Sequence, residues 1–148
     1  MNSLRCMPEA FAIIKGGTNA PKLCGTVRFY QLENSVLIVA SIQGLPASES
    51  GFFGFHIHEG KSCRGENFYE TGSHFNTNNK PHPSHSGDLP PLILCNGGAY
   101  MSFTTDRFCV NEVIGRTIVI HNMPDDFTTQ PAGNSGIKIA CGRIKTPE

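Results

Sequence analysis

An all-β fold of eight short strands, either two sheets packed face to face or one flattened barrel, is what this sequence predicts. Three observations carry that prediction. The apolar segments are short and rich in Val, Ile and Phe, Gly, Pro, Asn and Asp punctuate them, and no stretch has a convincing helical period. Strands that are apolar on one face bury that face against another sheet. The 148 residues suit a single domain, residues 1–148, of a size that typically buries ~70% of its unfolded surface.

The first three strands are AFAIIKG (10–16), GTVRFYQ (25–31) and SVLIVASIQ (35–43), each dense in β-branched or aromatic residues. The fourth, FFGFHIHE (52–59), places His56 and His58 on one face and Phe55 and Ile57 on the other, because side chains alternate along a strand. AYMSFTT (99–105) follows, then a weaker strand near RFCVNEV (107–113), then RTIVIHN (116–122) and IKIACGRI (137–144). Between Gly60 and Pro91 the chain is rich in Gly, Asn, Pro, Ser and His and has little apolar periodicity. Loops of that length in a compact domain are usually functional or disordered, so something is expected to tie this one down.

Twelve basic residues balance twelve acidic ones and the isoelectric point is near 7.0, which leaves no broad basic field for nucleic acid or an anionic membrane. No apolar run reaches the about 18 residues of a membrane span. The opening MNSLRCMPEAFAIIKGG lacks the features of a secretion signal, so the chain reads as cytoplasmic as written, or extracytoplasmic if it is a processed form. Six cysteines, Cys6, Cys24, Cys63, Cys95, Cys109 and Cys141, are many for a reducing compartment, yet none forms a CxxC pair. Their pairing is open on sequence alone.

The six histidines carry the chemistry. Five of them (His56, His58, His74, His82 and His85) fall between residues 56 and 85, and His121 ends the strand TIVIHN. One isolated histidine is more often a packing or surface residue than a ligand, but six around one strand pair and one polar loop point to metal. The loop supplies His74, His82, His85 and Asp88 at short intervals, a mixed imidazole and carboxylate set that suits zinc. Asp88, in SGDLP, also suits a plain turn. His56, His58 and His121 remain as an incomplete set for copper, unless His74 turns its second ring nitrogen toward them. His74 would then be an imidazolate bridging two cations.

The segments GFHIHEG, GSHFN, HSGDLP, GRTIVIH, PDD and GNSGIKIACG, in that order, resemble the copper/zinc superoxide dismutase family over nearly the whole chain. The resemblance implies an eight-stranded Greek-key β-barrel with a long metal-binding loop. It implies that His56, His58, His74 and His121 ligate copper, and that His74, His82, His85 and Asp88 ligate zinc. It pairs Cys63 with Cys141 in a disulfide, and makes Asp125 the carboxylate that fixes a copper histidine and a zinc histidine. The implied activity converts superoxide to dioxygen and hydrogen peroxide by copper redox cycling, with zinc as structural and tuning ion and His74 delivering a proton to the departing peroxide. Superoxide is the expected partner; a homodimer is left open, because branches of the family associate through different faces.

Three departures from the family pattern stand out. Lys138, in GIKIACG, occupies the place of the family's arginine over copper, keeping the charge but exchanging a rigid fork for a flexible ammonium. The segment FTTQPA between Asp126 and Gly133 is short and uncharged. Dismutases of this family are an established case of electrostatic steering, and here the long-range part of it is expected to be weak. His82 and His85 lie close together in PHPSH, and Cys6, Cys24, Cys95 and Cys109 have no transferable role, as free core thiols or as further disulfides. A non-catalytic copper/zinc-binding module that carries or buffers copper is the alternative; the complete ligand set and the cation Lys138 favour the enzyme.

Overall fold

The computed structural model describes residues 7–148. Strands β1 (Ala10–Gly16), β2 (Cys24–Gln31) and β3 (Val36–Gln43) form an antiparallel meander in register from Ala10 opposite Phe29 to Gln31 opposite Val36. Their alternation is that of a sheet with one wet face: Ala10, Ala12, Ile14, Val27, Phe29, Val36, Ile38, Ala40 and Ile42 turn into the core, while Ile13 is exposed.

The remaining elements are β4 (Phe52–Phe53), β5 (Phe55–His58), β6 (Leu92–Ile93), β7 (Ala99–Thr105), one helical turn α1 (Val110–Val113), β8 (Thr117–His121) and β9 (Lys138–Arg143). Seven strands make one curled antiparallel sheet in the order β5-β8-β9-β1-β2-β3-β7, and β4 pairs with β6 in a second, two-stranded ladder. Consecutive strands β7 and β8 lie far apart in that order, the exchange of a Greek key. Phe29, Phe53, Phe55, Ile57, Ile118 and Ile120, all fully buried, fill the concave side.

The expected all-β barrel-type fold is present, with three differences in its elements, the first being the short strand β6 at a place where only loop was expected. Gly54 splits FFGFHIHE into β4 and β5: its N–H donates to Met123 O at 2.9 Å and its carbonyl accepts from His121 N at 2.8 Å, so the backbone there bonds to the end of β8 and to Met123 just beyond it, while β4 pairs with β6. RFCVNEV is not a strand. Val110 and Val113, three apart, bury one face of a helical turn, and Glu112 reaches back to accept the Cys109 N–H at 2.6 Å. Helical spacing and a capping side chain overrode the β-branched composition.

Strands β5 and β8 are buried on both faces, unlike β1 to β3. Their core face carries Phe55, Ile57, Ile118 and Ile120, and their other face is covered by residues 60–91. This long segment also occupies the free edge of β5. Ile57 N donates to Gly87 O at 2.9 Å, Phe75 N donates to Ile57 O at 2.8 Å, and bridges join His56 to Asp88 and His58 to His74. An edge that would otherwise expose unpaired backbone groups is thereby satisfied. Cys63 and Cys141 are bonded to each other, with Cα atoms 5.9 Å apart, and tie the start of this segment to β9. Of the two alternatives for these cysteines, Cys24, Cys95 and Cys109 follow the free thiol and not the further disulfide, but they are exposed and not in the core; Cys6 lies outside the described residues.

Candidate metal centre

Strand alternation on β5 sends His56 and His58 away from the core, and β8 ends with His121 on the same side. A bulge between Ile120 and His121 shifts the pairing with β9, so that Lys138 stands opposite His121. The loop returns over this face and brings His74 next to His56, with ring centroids 4.1 Å apart. The ligating atoms of His56, His58, His74 and His121 lie within 4.8 Å of one another, all buried. So do those of His74, His82, His85 and Asp88. His74 belongs to both groups.

The two ring nitrogens of His74 divide between them. Nδ1 is 2.8 Å from Asp88 Oδ1 and 3.2 Å from His85 Nδ1, while Nε2 is buried with no hydrogen-bond partner. Asp88 gathers the second group: Oδ2 lies 3.1 Å from His82 Nδ1 and 3.2 Å from His85 Nδ1, and it also accepts the His85 backbone N–H at 2.9 Å. The turn bond thus aims the Asp88 carboxylate at the imidazoles.

Asp125 stands behind both groups. Its Oδ2 accepts from His56 Nε2 at 2.8 Å and its Oδ1 from His82 Nε2 at 2.7 Å, and the Phe127 N–H adds a third bond at 2.8 Å. Burial would raise the Asp125 carboxyl, but these three donors outweigh it and hold the group well below the usual carboxylate range. Donating through Nε2 leaves a lone pair on Nδ1 of His56 and of His82; both Nδ1 atoms are buried without a hydrogen bond, that of His82 with only the Asp88 carboxylate 3.1 Å away. His58 works in the opposite sense: Nδ1 donates to Gly72 O at 2.8 Å, which frees Nε2, 3.3 Å from His121 Nε2.

Unpartnered nitrogens facing one another in a buried site are costly for a protein alone and fitting for a cation. Burial pushes the His56, His58 and His121 imidazoles down, His121 to about 3, and the neighbouring imidazoles push in the same direction. These rings stay neutral, as metal ligands must. Asp88 is also lowered overall: burial opposes its ionisation, but the bond from His74 and the charges of the three loop histidines prevail.

A sequence model of the family described as copper/zinc superoxide dismutase (SODC) matches residues 23–144. The chain belongs to the copper/zinc superoxide dismutase family. Among its relatives is "Superoxide dismutase [Cu-Zn] 2" of Aquifex aeolicus, 31% identical over 139 residues that cover 84% of this chain and 80% of that protein. "Superoxide dismutase [Cu-Zn]" of Deinococcus radiodurans is 34% identical over 142 residues, covering 82% of this chain and 76% of the relative. "Superoxide dismutase [Cu-Zn] A" of Xenopus laevis is 33% identical over 155 residues, covering 93% and 97%. The family implies copper and zinc, and the two groups that share His74 are sites able to hold them.

In this superoxide dismutase family member, further residues hold the centre that no spacing in the sequence betrays. Gln130 grips the His82 peptide from both sides, accepting its N–H at 3.0 Å and donating to its carbonyl at 2.7 Å. Arg107 donates to Pro83 O at 2.8 Å and His85 O at 3.2 Å. Gly133, with φ near 76°, lies against the Asp125 carboxylate and the His82 ring; a Cβ there would sit 2.0 Å from Asp125 Oδ1. Half-buried Lys138 donates to Thr71 Oγ1 at 2.7 Å and to Gly72 O at 3.0 Å. Burial draws its ammonium below the ordinary lysine range, and its charge contributes to the lowered values of His58 and His121.

Proposed function

We propose that the protein is a superoxide dismutase, converting two superoxide anions and two protons to dioxygen and hydrogen peroxide. Copper would be held by His56, His58, His74 and His121, and zinc by His74, His82, His85 and Asp88. The observation that carries this reading is the division of His74, with Nδ1 beside Asp88 and a buried, unpartnered Nε2 on its other side. Bound copper supplies one-electron redox chemistry and zinc a fixed neighbouring charge.

The chain's own groups do the rest. In the half of the cycle in which it is not serving as a ligand, His74 Nε2 would take a proton from water and give it up to the departing peroxide, while its Nδ1 stays fixed on the Asp88 side. Asp125 keeps His56 and His82 in the tautomer whose Nδ1 is free, and Gly72 O does the equivalent for His58 Nε2. Lys138, opposite His121, draws and orients the anionic substrate.

Loading the purified protein with copper and zinc and following superoxide removal tests this reading, with His121→Ala in parallel. Activity in the wild type that vanishes in the variant is expected. Tight binding of both metals without turnover in the wild type would instead identify a carrier or buffer module.

A further inference from the structure

Lysine in place of a forked guanidinium poses a physical problem. An ammonium on four methylenes has three rotatable donors and no preferred plane, so its position over a site must be set by whatever it bonds to. Lys138 Nζ has two partners, Gly72 O at 3.0 Å and Thr71 Oγ1 at 2.7 Å. Gly72 O already accepts from His58 Nδ1 at 2.8 Å. That carbonyl is therefore shared between the cation and one of the candidate copper ligands, while the Thr71 hydroxyl is the shorter and side-chain-specific partner.

Thr71 is built for that task. It has no exposed surface, and its own hydroxyl proton is committed to Phe68 O at 2.8 Å, which leaves an oxygen lone pair, and not a competing proton, toward Lys138. It closes the short 3₁₀ segment Glu66–Thr71, and the following Gly72, at φ near 68°, turns its carbonyl back to the same ammonium. Tethering to a fully buried hydroxyl limits the lysine to one pose beside His121, which it faces across the β8–β9 bulge.

We infer that Thr71 is a positioning residue for substrate capture: through its hydroxyl it fixes the Lys138 ammonium in the pose that receives a small anion at the metal centre. This rests on the reading of Lys138 given under Proposed function. Thr71 itself makes no hydrogen bond to a candidate metal ligand; its bonds go to Phe68 O, Lys138 Nζ and Gly60 N.

The test is anion affinity in a double-mutant cycle, with azide as the probe, titrated into the copper- and zinc-loaded protein and followed by visible absorption. Thr71→Val keeps the side-chain shape and removes the hydroxyl; it is expected to weaken azide binding roughly 3- to 10-fold. Thr71→Ser is expected to bind azide within about 2-fold of wild type, since it restores the oxygen. In a Lys138→Ala background, where azide affinity is already reduced, Thr71→Val is expected to change it by less than about 2-fold. A Thr71 that mattered only for folding would weaken binding equally in both backgrounds, and that result overturns the inference while leaving Lys138 its role. Unchanged azide affinity in Lys138→Ala alone, or no azide binding by the wild type, overturns both the inference and the assignment of Lys138. Should Thr71→Val fail to fold, Thr71→Ala gives the same comparison.

Discussion

His56 Nε2 and Asp125 Oδ2 lie 2.8 Å apart with both side chains out of solvent, and the second oxygen of the same carboxylate accepts from His82 Nε2 at 2.7 Å. One anion thus fixes the tautomers of two histidines, one from each metal group. Asp125→Ala is expected to lower the affinity of the protein for zinc and copper by about 10- to 100-fold. Competition titration against a chelator of known affinity measures it; unchanged affinity for both ions would show that the tautomers are set elsewhere. Gly133→Ala is expected to mimic the loss, because the added methyl would displace this carboxylate.

Gln130 and Arg107 hold the His82–His85 backbone from outside the loop. Gln130→Ala and Arg107→Ala are expected to weaken zinc about 10-fold each while leaving copper affinity close to wild type, since the bonds they make to the centre go to His82, Pro83 and His85 and to no copper-side histidine. Parallel zinc and copper titrations of each variant distinguish this from a general loss of structure, which would weaken both ions together.

The Cys63–Cys141 bond spans 78 residues of chain. Restricting the unfolded ensemble over such a loop is worth about 4.5 kcal/mol by the chain-entropy argument. Cys63→Ser is expected to lose stability of that order in denaturant unfolding at fixed metal content. A loss under about 1 kcal/mol would mean that loop closure contributes little here.

Acid should destabilise the metal-free protein before its carboxylates titrate. His56, His58 and His121 are pushed below 6.5 by burial, His121 to about 3, so the unfolded chain takes up protons near pH 6.5 that the folded chain refuses. Folding stability is therefore intact above pH 6.5 and declines as pH falls below it, by up to about 1.4 kcal/mol per pH unit for each histidine while it stays neutral in the fold, a range that for His121 reaches down to about 3. Asp88 and Asp125, both lowered, add their losses only below 3.8. Thermal unfolding of metal-free protein between pH 7.5 and 5 checks this, and a flat Tm over that range would contradict it.

The sheet was legible where one face is wet. Alternation in β1 to β3 reads directly from AFAIIKG, GTVRFYQ and SVLIVASIQ, because solvent imposes the polar half of the pattern. It failed at Leu92–Ile93, two residues of strand at the end of a polar loop, and at Val110–Val113, where β-branched residues serve a helical turn. At the centre, histidines and Asp88 could be singled out because few residue types bind metal. Thr71, Arg107 and Gln130 could not, since Arg107 bonds carbonyls 22 and 24 positions away and Gln130 bonds a peptide 48 positions away. Contacts of side chain to distant backbone leave no mark on composition or period.

The stretch between Gly60 and Pro91 both walls in the outer side of β5 and contributes His74, His82, His85 and Asp88 from its inner surface. Cargo and container are therefore the same piece of chain. Peeling this cover away from β5 would scatter three imidazoles and a carboxylate in the same event that let water reach the strand.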